Sequence, residues 1–146
     1  MADHRTAKQP QRFEPEILSR VWGSECIIAS TPQYLGKILY MREHTKGGFQ
    51  LHVEKDETEH LLSGEAILRF DDGHGGIAEH QMTAGESWHI PPGTPHQVEA
   101  VTDCVIVEAS TPHRDDRVRL EERYHLPTGM GLPTTRVIAR DQIDLG

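Results

Sequence analysis

No apolar run in this chain approaches the length of a transmembrane helix. The N-terminal stretch MADHRTAKQPQRFEPEI has no apolar signal-peptide core. The expectation is a soluble, cytoplasmic protein without a membrane partner. Cysteine is scarce: Cys26 and Cys104 lie far apart and read as two buried free thiols of a reducing compartment. Positive charge is in deficit, with 15 Lys and Arg against 23 Asp and Glu and a net charge of −8. That balance argues against nucleic acid as a partner, while leaving room for a local basic pocket. Internal repeats and low-complexity tracts are also missing, and helical periodicity is weak before His113.

What is present is a series of short segments rich in β-branched and apolar residues: ECIIAS, GKILYMRE, FQLHVE, EHLLSGEAILRF, GIAEHQM, ESWHIP, HQVEAV and DCVIVEAS. Gly- and Pro-bearing turn signals such as KGG, DDGHGG, TAGE and PPGTP punctuate them. Many short strands at this spacing predict one all-β sandwich or barrel domain. The expected organisation is a polar N-terminal arm over residues 1–17, a barrel over 18–125 and an irregular extension over 126–146. The segment HRDDRVRLEERYHL mixes acidic residues with Arg117, Arg119 and Arg123, and reads either as a short ion-paired helix or as an extended closing segment.

The chemistry concentrates in two places. In FQLHVE, period-two alternation puts Gln50 and His52 on one strand face. Glu57 then begins the next strand across a bend, Glu59 shares its face, and Gly64 suits a tight turn. Downstream, GESWHIPPGTPHQVEA carries two turns and delivers His96 into a strand. Imidazole, carboxylate and amide oxygen arriving from separate strands suit Zn, Mn, Fe, Co or Ni better than a thiolate-selected metal.

These spacings resemble the two-motif signature of the cupins. The first motif matches through His52, Glu57 and Gly64, with Gln50 in place of the first His and His44 where a Gly is expected. The second matches through Gly85, Pro91, Gly93 and His96, with Ala100 in place of the final Asn. The Gln-x-His variant and the tail RDDRVRLEERY are similar to the cupin domain of type II mannose-6-phosphate isomerases, over roughly residues 21–125. The resemblance implies a single jelly-roll (double-stranded β-helix) barrel and a divalent metal, Zn first with Mn, Fe, Ni or Co as alternatives. It implies Gln50, His52, Glu57 and His96 as the ligands, and a homodimer.

The reaction it implies is aldose–ketose isomerisation of a sugar or sugar phosphate, a small anionic or polyhydroxylated substrate. Glu59 would be the acid–base group and Arg119, which matches the family's tail Arg, the anion holder. An iron-dependent dioxygenase or lyase acting on a small organic acid is an alternative on the same fold, and a non-catalytic sugar- or anion-binding module is another. His60 and His89 read as bystanders, Trp22 and Trp88 as core, and Lys37 as a solvated residue on an edge strand.

Overall fold

The computed structural model describes residues 6–114 and 116–126, and among them it contains β-strands and no helix. In chain order these are β1 (Glu16–Arg20), β2 (Gly23–Ser30), β3 (Leu35–Met41), β4 (Thr45–Lys46), β5 (Gln50–His52) and β6 (Glu57–Ser63). They continue with β7 (Glu65–Asp71), β8 (Ile77–Thr83), β9 (Ser87–Ile90), β10 (His96–Ala100), β11 (Cys104–Ser110) and β12 (Arg117–Arg119). One sheet runs β1-β2-β3-β11-β6-β9 and the other β12-β5-β10-β7-β8, with β4 also on β10. Every pairing is antiparallel, and the two sheets form a jelly-roll barrel.

The apolar segments of the sequence become β2, β3 and β5–β11. Glu16 and Ile17, read from the sequence as arm, instead open β1 and pair with Ile27 and Cys26. The acidic–basic tail resolves as extended chain: Arg117, Val118 and Arg119 pair with His52, Leu51 and Gln50, closing the outer edge of β5. The extension expected over 126–146 lies, beyond Leu126, outside the described residues.

Alternation sorts the strands cleanly. In β6, Glu57, Glu59 and Leu61 are buried while Thr58 and His60 are only half-buried. The β6–β7 turn depends on Gly64, whose φ of 94° belongs to the left-handed region. A Cβ there would fall 2.2 Å from the Asp103 carbonyl oxygen, so the neighbouring strand end leaves no room for a side chain.

The barrel interior is divided along its strands. One end is a conventional core of Trp22, Met41, Leu61, Leu68, Met82 and Ile106 with their neighbours. The other end is polar, because the same strands continue inward with charge: Leu61 gives way to Glu59 and Glu57, Ile106 to Glu108, and Val98 to His96. Cross-strand register assembles a row from them, with Lys37 opposite Glu108 and Glu108 opposite Glu59.

Candidate metal centre

The polar end encloses a cavity of about 90 Å3, and Gln50, His52, Glu57, Glu59 and His96 all line it. His52 ends β5 and His96 begins β10, so the ladder between these strands brings the two rings to 5.8 Å centroid separation. Each ring has its outer nitrogen engaged. The His52 Nδ1 lies 3.1 Å from Asp116 Oδ1, and the His96 Nδ1 donates to the Thr94 carbonyl at 2.9 Å. Their Nε2 atoms turn inward on one point, 3.4 Å and 3.1 Å from Glu57 Oε1. Gln50, opposite His96 in the ladder, adds an amide on the same wall.

Glu57 is 2% exposed, and neither carboxylate oxygen has a well-formed hydrogen bond. Its neighbours are two imidazoles on Oε1 and the Lys55 ammonium 2.9 Å from Oε2. Burial works to raise this carboxyl, but the His52 and His96 rings and Lys55 hold it well below the usual carboxylate range. His96 is also buried, which works to lower its affinity for a proton, yet the Glu57 carboxylate beside it raises that affinity overall.

A divalent cation fits this arrangement. Ligating atoms of His52, Glu57 and His96 lie within 4.8 Å of one another. The set combines one carboxylate oxygen with two imidazoles whose outer nitrogens are already oriented by acceptors, the arrangement that fixes a tautomer for metal binding. Glu57 Oε1, buried without a well-formed hydrogen bond, is costly there unless a cation satisfies it.

Glu59 points inward, 6% exposed, across from Glu108 and Trp88. Burial first, and the Glu57 charge next, push its carboxyl up to about 8. Arg119, in contrast, does not line the cavity. Its guanidinium is held by Glu121, with Nε 2.9 Å from Oε1, and it packs against the Gly48 backbone. Arg114 and Arg117 from the same segment do line the cavity, and Arg114 also pairs with Glu16. His60 bonds Ser87 and His89 bonds Asp56, both away from the centre.

Several residues of the site escaped the sequence reading. Lys37 is buried on the interior strand β3, correcting the expectation of a solvated edge lysine. It lies in a buried ionic chain that runs Arg20, Glu25, Lys37, Glu108, Lys55, Glu57. Burial opposes the charge on Glu25, but Lys37 and Arg20 bring it down to about 2. Asp116 was also missed. Its Oδ2 accepts the backbone N–H groups of Glu54 and Lys55 at 2.7 Å each, so the acid that orients His52 also fixes the bend before Glu57. A signal existed for the ionic chain, since Glu25, Lys37 and Glu108 each occupy an inward position of an otherwise apolar strand.

Two antiparallel sheets close a jelly-roll barrel around an inward His–Glu cluster. Residues 37–107 match the family model of the EutQ-like cupin domain. No curated protein sequence matches the chain. Among solved structures it is similar to the capsular polysaccharide assembling protein CapF of Staphylococcus aureus, with 21% identity and a TM-score of 0.65 over 73% of this chain and 34% of that one. The chain thus spans about a third of CapF. Oxalate decarboxylase of Bacillus subtilis matches with 14% identity and a TM-score of 0.68 over 86% of this chain and 36% of that one. An RmlC-like cupin of Shewanella frigidimarina matches with 16% identity and a TM-score of 0.60 over 79% of this chain and 96% of that one.

Proposed function

We propose that this chain is a cupin that works as a metal-dependent aldose–ketose isomerase on a sugar or sugar phosphate. The observation that supports it most is Glu59, a buried carboxyl on the same cavity wall as His52, Glu57 and His96. Gln50, His52, Glu57 and His96 would hold a divalent ion, Zn first, which when bound would supply Lewis-acid polarisation of a carbonyl and its neighbouring hydroxyl.

The remaining work falls to side chains. A Glu59 carboxylate oxygen removes the proton from the hydroxyl-bearing carbon beside the carbonyl and returns it to the former carbonyl carbon, while the hydroxyl proton passes to the former carbonyl oxygen through the enediol. No oxidant or reductant is consumed. The cavity of about 90 Å3 admits the reacting end of a sugar and leaves the rest toward Arg114 and Arg117. In this reading Arg117 meets the anionic end, whose planar fork suits phosphate or carboxylate, and Arg119 braces the wall at Gly48.

One fold neighbour is an oxalate decarboxylase and another a capsular polysaccharide assembling protein, so fold does not select the reaction. The test is incubation of Zn-reconstituted protein with aldose and ketose phosphates in D2O, followed by NMR. Expected are aldose–ketose interconversion and deuterium at the exchanging carbon. Glu59→Gln should lower kcat about 100-fold or more with metal content unchanged. Oxygen consumption or CO2 release from a small organic acid would replace this reading with the oxygenase or lyase one. Thermal stabilisation by sugar phosphates without turnover would leave a binding module.

A further inference from the structure

Lys55 is the part of the centre that metal ligation alone does not explain. Its side chain is 4% exposed, and its ammonium stands 2.9 Å from both Glu57 Oε2 and Glu108 Oε2. Its backbone is pinned as well, because its N–H donates to Asp116 Oδ2 at 2.7 Å. A flexible lysine is therefore fixed at both ends, and the same Asp116 that orients the His52 ring sets its starting point.

The consequence concerns the two oxygens of Glu57. Oε1 faces the His52 and His96 Nε2 atoms, while Oε2 faces the ammonium. A carboxylate that binds a metal through both oxygens has to turn both toward it. Here one is committed to a cation whose other side is braced by Glu108, itself flanked by Lys37 at 4.0 Å.

We propose that Lys55 is a positioning residue that restricts Glu57 to ligation through Oε1 alone. This rests on the metal-centre reading above but not on the isomerase reading. Restricted ligation keeps a coordination position free for substrate oxygen. It also draws charge from the carboxylate, leaving the bound ion a stronger Lewis acid. Lys55 touches neither metal nor substrate in this role.

The test is spectroscopic and uses Co(II) alone as probe. Lys55→Met by itself strands Glu108 as a buried anion and can fail to fold, so the informative variant is Lys55→Met/Glu108→Gln, with Lys55→Arg as the conservative control. In the double variant Glu57 is released to use both oxygens. The visible absorption of bound Co(II) should drop roughly twofold or more as coordination number rises. Lys55→Arg should keep the wild-type spectrum. An unchanged Co(II) spectrum in the folded double variant would overturn the proposal. Loss of Co(II) binding from that variant would also overturn it, because Lys55 would then hold the metal rather than set its mode of ligation. Wild-type protein that takes up no Co(II) would remove the metal centre itself. Failure of sugar turnover with the expected spectra would remove only the isomerase reading.

Discussion

Asp116 engages the His52 ring and two backbone N–H groups at once, although it lies 64 residues from His52 in the chain. Burial works against its charge, but those donors hold its carboxyl below the usual range. Asp116→Asn should weaken metal affinity about 10- to 100-fold with little change in fold, measured by competition titration with a chromophoric chelator. The difference in legibility between Asp116 and the candidate ligands has a physical origin. Gln50, His52 and Glu57 sit on strands whose period of two and intervening bend already fix their relative direction. His96 is announced by the Pro–Gly turn before it. Asp116 acquires its role from β12 returning to the edge of β5, a long-range pairing with no local signature. Arg119 illustrates the converse: motif position singled it out, yet Glu121, two residues on, holds its side chain.

Strands β2, β3, β6 and β11 were recognisable as strands because their outward and inward residues alternate. Their inward charges were not interpretable one strand at a time. Glu25, Lys37 and Glu108 make sense only once the register sets them beside one another. The chain they form has a measurable acid dependence. Glu25 is depressed from 4.5 to about 2 in the folded state, so its contribution to stability is complete above about pH 4.5 and fades as pH falls toward 2. Its full size is roughly 3 kcal/mol. Urea unfolding of wild type and Glu25→Gln should therefore differ most at pH 5 to 6, and the gap should close as pH is lowered through that window. At the β6–β7 turn the constraint is steric. Gly64→Ala must hold a Cβ at φ 94° against the Asp103 carbonyl, and should lower unfolding free energy by about 1–3 kcal/mol in urea titration.

The described residues form a barrel with an apolar end and a charged end. The apolar end supplies the burial that folds a domain of this size. The charged end concentrates ionic pairs whose desolvation is offset only by close partners, and such groups are retained more readily for a site than for stability. The barrel architecture was readable from strand spacing and turn residues. Its division into two ends was not, because that division runs across strands rather than along any one of them. The central claim is that the charged end holds a divalent metal on His52, Glu57, His96 and Gln50. Elemental analysis of purified, dialysed protein tests it most directly. About one divalent transition-metal ion per chain is expected in wild type. Less than about a tenth of that is expected in a folded His52→Ala/His96→Ala variant. Equal metal in both proteins, or none in wild type after reconstitution, would contradict it.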